Sequence, residues 1–281
     1  MITGKTKLVG ILGWPVEHSL SPAIHNSAFA VCGLDYTYIP LPTQPESLES
    51  AVIGLKALGF SGANVTIPHK VAIMPYLDEI DNNAKIIGAV NTVVIKNGRS
   101  IGYNTDAEGF VNALLIKKTK IHNAKVAILG AGGAARAIVC GLLNHGARKI
   151  IAGARNDRKA IEFAKSFNDA RITGMTWQDN GFGSYLQETD ILINSTPLGM
   201  YPNLNSQPPV IWETVSKHAV VCDIVYNPYR TMFLTSAAKR GHDIVTGDGM
   251  LVEQAAIAFE LWTGVKAPRQ TMYEIVNKFS T

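Results

Sequence analysis

Cysteine is scarce in this chain, net charge is small, and no apolar run is long. The three cysteines among 281 residues, Cys32, Cys140 and Cys222, are odd in number, far apart and without C-x-x-C spacing. That pattern speaks against a disulfide framework and against a zinc site, and no metal site of any kind is expected. All three are expected to be reduced core residues of a cytoplasmic protein. Lysine and arginine exceed the acidic residues only by 26 to 22, without a basic run, so no nucleic-acid-binding arm is expected. No segment reaches the ~18–20 apolar residues that span a bilayer, and the start of the chain lacks an apolar export signal. Neither membrane insertion nor export is expected. There is no internal repeat and no low-complexity tract.

What the chain does have is apolar content of 47%, enough at this length for a large core and better suited to two domains than one. Residues 126–136, VAILGAGGAAR, are its most informative stretch. Val126, Ala127, Ile128 and Leu129 read as a buried parallel strand, and Gly130, Gly132 and Ala135 follow as G-x-G-x-x-A. Gly130 permits a tight turn, a side chain at Gly132 would block a pyrophosphate, and Ala135 lets a helix pack close to the strand. That helix shows in the spacing of Ala135, Ile138, Val139, Leu142 and Leu143, with Gly146 placed to end it. Many glycine turns bind nothing, but strand, turn and helix in this order favour a dinucleotide. At the end of the next strand, 149–154, an NAD protein usually places Asp or Glu; here the chain reads GARNDRKA. Arg155, with Arg158 and Lys159 nearby, would attract a 2′-phosphate, so NADP is favoured over NAD. The plainer alternative is a set of exposed charges opening a helix over 158–167, with Asp157 weakening the positive field.

Ahead of this stretch, strands are expected over 7–12, 36–41 and 63–67, and helices over 23–31 and 48–58. Ser21 precedes Pro22 and reads as a helix cap, which this segment alone favours over ligand binding. Asn64 and Thr66 share one face of their strand. Pro68 ends the pairing and leaves Lys70 just beyond, where an ammonium can meet a bound oxyanion or carbonyl. A hairpin over 89–103 turns at Asn97-Gly98, which places Lys96 opposite Arg99 and Asn91 opposite Asn104. The same register brings Asp106 to that end, where it could equally cap a helix over 107–115. Further strands are expected over 190–193, 219–224 and 243–245, and a helix over 233–240. The loops NSTPLGM and VYNPY stand at carboxyl ends of strands, where open α/β sheets bind ligands. Gly247 and Gly249 read as turn residues. Gln254 flanks the apolar stripe of a helix over 250–262 and could hydrogen-bond a hydroxylated ligand, though a solvated glutamine is the commoner case.

GWPVEHSLSP, NVTIPHK, GAVNT, GYNTD, GAGGAAR, NSTPLGM, DIVYNP and GDGMLVEQAA run in this order through nearly the whole chain, which resembles the shikimate dehydrogenase family. The resemblance implies an α/β fold of two lobes: a substrate domain over 1–106 completed by C-terminal helices over 242–281, and a Rossmann-type doubly wound parallel-sheet NADP domain over 107–241. It implies reversible NADPH-dependent reduction of 3-dehydroshikimate to shikimate, a step of aromatic amino-acid and chorismate biosynthesis. Lys70 and Asp106 would be the catalytic pair. Ser19, Ser21, Thr66, Asn91, Asp106, Tyr226 and Gln254 would hold the substrate, with Asn64 lining the same pocket. Gly130, Ala131, Gly132, Gly133 and Ala134 would surround the pyrophosphate, Ala154, Arg155, Asn156 and Lys159 the 2′-phosphate, and Ile224 and Gly247 the nicotinamide. The protein would act as a monomer or homodimer. Ala154 departs from the asparagine often found there, and Asn82, where some members are acidic, is given no role. The alternatives are a quinate/shikimate dehydrogenase with relaxed cofactor use and a non-catalytic NADP-binding sensor; the presence of both Lys70 and Asp106 argues against the second. Methylenetetrahydrofolate dehydrogenase shares the general architecture, but the SLSP and NVTIPHK segments do not suit a pterin.

Overall fold

The computed structural model describes residues 2–279, which divide into one unit of residues 2–109 with Val252–Phe279 and another of Phe110–Leu251. In the first unit β1 (Lys7–Gly13), α1 (Ser21–Val31), β2 (Tyr36–Pro42), α2 (Leu48–Ala57), β3 (Gly62–Val65) and the single turn α3 (His69–Ala72) alternate strand with helix. β4 (Glu79–Ile80), α4 (Asn82–Ile87), β5 (Thr92–Lys96), β6 (Arg99–Tyr103) and the start of α5 (Asp106–Ile116) follow. The sheet order is β2-β1-β3-β5-β6-β4. β1 runs parallel to β2 and β3, and β5 enters antiparallel to β3. Apolar residues of both element types, among them Leu12, Val52, Leu55, Val65 and Val93, close one core over this sheet.

Local chemistry explains the clearest parts. Asn97 and Gly98 both take positive φ, 52° and 75°, the pair of left-handed residues that a two-residue hairpin turn of matching twist needs. The register follows from it, Lys96 opposite Arg99 and Thr92 opposite Tyr103. β3 stops at Val65 rather than 67. Thr66 therefore lies just past the strand, and Lys70 stands on the α3 turn rather than on an extended tail.

The second unit holds β7 (Lys125–Leu129), α6 (Gly133–Asn144), β8 (Lys149–Ala154), α7 (Asp157–Lys165), β9 (Ile172–Thr176), α8 (Asn180–Leu186), β10 (Ile191–Asn194), β11 (Val220–Asp223), α9 (Met232–Ala238) and β12 (Ile244–Val245). Its order β12-β11-β10-β7-β8-β9 is parallel throughout, the doubly wound Rossmann arrangement. The winding reverses between β7 and β10, the switch point whose carboxyl ends form the ligand crevice of such sheets. The central strands β7, β8 and β10 are buried on both faces and read largely as apolar runs.

The chain leaves this unit within α10 (Gly247–Thr263), and α11 (Arg269–Lys278) follows. The return falls later than the expected residue 242 because β12 still pairs with β11. Gly247 and Gly249 are not turn residues, since the helix begins at Gly247. A Cβ at Gly247 would lie 2.5 Å from the carbonyl oxygens of Ile224 and Val225. Cys140 and Cys222 are buried as expected, but Cys32 is only half-buried, because it closes the solvent end of α1. No helix among the described residues is long and apolar enough to cross a membrane.

Candidate active site

Lys70 reaches its position through main-chain ties: the Val90 N–H donates to the Lys70 carbonyl at 2.8 Å, which pins the α3 turn to the segment entering β5. Its ammonium donates to Asp106 Oδ2 at 2.6 Å, with 28% of the lysine side chain and 8% of the aspartate side chain exposed. Partial burial strengthens such a charge-assisted bond relative to a surface pair. Asp106 opens α5 without serving as its cap; Asn104 Oδ1 accepts the Asp106 N–H at 3.0 Å instead. Both carboxylate oxygens are thereby available for side chains, and the second accepts from Asn91 Nδ2 at 2.7 Å.

Asn91 is itself held. Its Oδ1 accepts from the Thr105 N–H at 2.8 Å and from Thr92 Oγ1 at 3.0 Å. Asn64, expected to line the pocket, uses its amide inside the fold: Nδ2 donates to the Asn91 carbonyl (3.2 Å) and to Thr92 Oγ1 (3.1 Å), and Oδ1 accepts from the Tyr38 hydroxyl (2.8 Å). Behind Tyr38 lies His25, its ring stacked at 4.5 Å and 6°. Burial pushes the His25 imidazole down to about 3, the Asn64 amide offsetting this only in part.

The remaining first-unit candidates are Ser19, Ser21, Thr66 and Gln254. Ser21 does not cap α1, whose N-cap is Leu20 with no side-chain bond. The Ser21 N–H donates to Ser19 Oγ at 3.3 Å, so the two serines form a local pair with the Ser21 hydroxyl unused by the helix end. Thr66 is half-buried beyond β3. Gln254, half-buried on α10, lies where that helix crosses α5 at Gly109; a Cβ there would come within 2.8 Å of the Gln254 backbone nitrogen. Tyr226 belongs to the second unit, half-buried beyond β11, with burial pushing its phenol up. Tyr38, Thr92 and Thr105 were not anticipated from sequence. Thr92 had a signal, a hydroxyl inside the apolar run VNTVVI, whereas Tyr38 looks like any inward strand aromatic.

In the second unit the expected cofactor residues stand at the carboxyl ends of β7, β8 and β11 and at the start of α10. Gly130 has φ +124°, and a Cβ on it would sit 2.4 Å from Ser195 Oγ; no other residue suits. Gly132 and Gly133 have nothing within 4 Å of a Cβ position, and Gly132 is the N-cap of α6, with no side-chain cap bond. Its first amides are thus open to an anion. Ala131 and Ala134 flank that mouth half-buried. Beyond the buried Ala154, Asn156 Oδ1 caps α7 by accepting the Lys159 N–H at 3.0 Å. Asp157 accepts the Thr176 N–H at 3.0 Å, and Arg158 pairs with Glu162 at 2.8 Å. Arg155 and Lys159 are both exposed. Ile224 is half-buried and Gly247 buried at the ends of β11 and α10.

The parallel strand order and the glycine turn define an α/β protein of the Rossmann-type dinucleotide-binding class. The family comparisons narrow this further. Residues 11–93 match the model for the shikimate dehydrogenase substrate binding domain, 113–207 that for shikimate / quinate 5-dehydrogenase, and 247–276 that for the shikimate 5'-dehydrogenase C-terminal domain. A shikimate dehydrogenase (NADP(+)) of Desulforamulus reducens is 44% identical over 281 residues, covering 99% of this chain and 97% of the relative. A crystal structure of shikimate dehydrogenase in complex with NADP+ superposes with TM-score 0.93 at 42% identity, over 100% of this chain and 98% of that one. The ligand-free 5-ketofructose reductase of Gluconobacter sp. strain CHM43 gives TM-score 0.91 at 36% identity, over 99% and 100%. The chain belongs to the shikimate dehydrogenase family.

Proposed function

We propose that the protein interconverts 3-dehydroshikimate and shikimate with NADP as cofactor, using Lys70 and Asp106 as its catalytic pair. The observation that carries this reading is the 2.6 Å Lys70–Asp106 contact, with Asn91 on the other carboxylate oxygen. Bound NADPH supplies the hydride. As the substrate ketone is reduced, negative charge grows on its oxygen, and the Lys70 ammonium stabilises that charge and gives the oxygen a proton; in the reverse direction it takes the proton back. Asp106 holds the ammonium in place and, with further lone pairs on both oxygens, accepts from a ring hydroxyl. Ser19, Ser21, Thr66, Asn91, Gln254 and Tyr226 offer hydroxyls and amides suited to a polyhydroxylated carboxylate. An analogue lacking one hydroxyl would leave such groups unpaired and be rejected.

The open mouth of α6 and the cations after β8 fit a dinucleotide bearing a 2′-phosphate. Gly130, Ala131, Gly132, Gly133 and Ala134 would hold its pyrophosphate, Ala154, Arg155, Asn156 and Lys159 its adenosine phosphate, and Ile224 and Gly247 its nicotinamide. A reduced, cysteine-poor chain working on diffusible metabolites suits the cytoplasm, as monomer or homodimer. The test is initial rates with shikimate and quinate, each with NADP and NAD, alongside NADPH oxidation by 3-dehydroshikimate and 5-ketofructose. Turnover is expected with shikimate and NADP and with 3-dehydroshikimate. A preference for quinate or for 5-ketofructose would overturn the substrate assignment.

A further inference from the structure

The hydrogen bonds behind Asn91 have a fixed direction, set by two main-chain groups. The Asn91 carbonyl can only accept, so Asn64 turns Nδ2 toward it and Oδ1 toward Tyr38, whose hydroxyl must then donate (2.8 Å). The Thr105 N–H can only donate, so Asn91 turns Oδ1 toward it and Nδ2 toward Asp106. Thr92 stands between the two amides. Its oxygen accepts from Asn64 Nδ2 at 3.1 Å, and its proton goes to Asn91 Oδ1 at 3.0 Å rather than to Thr105 Oγ1 at 3.4 Å. The donors therefore align head to tail from Tyr38 through Asn64, Thr92 and Asn91 to Asp106, whose other oxygen receives Lys70. Water has little access: Tyr38 is 1% exposed, Asn64 5%, Thr92 0% and Asn91 2%. In such surroundings aligned hydrogen bonds polarise one another.

We infer that Thr92 is a positioning residue of the reaction: by joining the Asn64 and Asn91 amides it acts together with Thr105, whose N–H and hydroxyl also bond Asn91 (2.8 and 2.9 Å), to hold the Asn91 NH₂ on Asp106 and keep the carboxylate set against Lys70. This rests on Lys70 and Asp106 being the catalytic pair. Thr92 sits on β5, directly opposite Asn64 of β3, so its place in the chain of donors is fixed by strand register. A merely structural threonine in a buried strand would be replaced by isosteric valine without loss of turnover.

The experiment compares Thr92→Val, Thr92→Ser, Tyr38→Phe and Lys70→Met with the parent protein, measuring kcat and KM for shikimate oxidation with NADP and the thermal unfolding midpoint. Thr92→Val is expected to lower kcat about tenfold, the effect of one lost buried hydrogen bond next to a charge, with both KM values within about twofold. Thr92→Ser restores the hydroxyl and is expected to recover kcat to within about threefold. Tyr38→Phe removes the first donor of the series together with the Ser21 side-chain contact of the phenol, and is expected to lower kcat in the same direction by less. It carries the test should Thr92→Val not fold. A folded Thr92→Val with parental kcat, a Thr92→Ser as slow as the valine variant, or a Tyr38→Phe with parental kcat beside an unfolded Thr92→Val would overturn the inference. With Lys70→Met inactive, any of those results removes this inference alone; an active Lys70→Met removes the catalytic pair and the inference with it.

Discussion

Burial has a consequence at His25 that falls within the ordinary pH range. The residue is 0% exposed, and its pKa falls from 6.5 to about 3, so the fold holds the ring neutral where the unfolded chain would protonate it. Below pH 6.5 the unfolded state binds a proton that the folded state refuses, and stability falls as pH falls until about pH 3. At about 1.4 kcal/mol per unit, this residue costs roughly 2 kcal/mol between pH 7 and pH 5. Urea unfolding at the two pH values should show His25→Phe less pH-dependent than the parent by about that amount; parallel slopes would contradict it. Capping by a single side chain is hard to read from sequence. Capping looked the better use of Ser21 from SLSP alone, yet α1 begins one residue too early for it. Asp106 as a cap was displaced by Asn104, two residues upstream, whose side chain bonds the Asp106 N–H. Thr92 and Tyr38 escaped notice because their partners come from other strands, and spacing along one strand says nothing of them.

Among the elements, those built on strong periodicity or turn chemistry were readable: the hairpin at Asn97-Gly98, β7 with its glycine turn, and α6 closed by Gly146 at φ +79°. Short or weakly apolar ones were not. β4 has two residues, α8 contains Gly181 and Gly183, and α11 buries only Met272 and Val276. Gly174 in β9 would otherwise read as a strand breaker, but a Cβ there would lie 1.9 Å from the Ala160 carbonyl oxygen, so α7 packs on β9 only because of it. The end of β8 yields a test at this scale. Arg158 is turned to Glu162 and Asp157 bonded to Thr176 N–H, so the proposed 2′-phosphate contact falls to the exposed Arg155 with Lys159. Arg155→Ala should raise KM for NADP about tenfold or more while changing KM for NAD little, as for loss of one charge-assisted bond. Equal changes for both cofactors would remove the phosphate assignment.

At the scale of the whole molecule the chain carries two sheets with separate cores. The first unit holds the ammonium, the carboxylate and the buried donors behind them; the second holds the glycine turn and the strand-end cations. Substitution of the ammonium should therefore separate turnover from cofactor affinity. The most direct measurement is kcat of Lys70→Met for 3-dehydroshikimate reduction, with NADPH affinity titrated on the same sample. A fall in kcat of roughly 100- to 10,000-fold with NADPH affinity within about twofold is expected. Parental turnover in Lys70→Met would contradict the account.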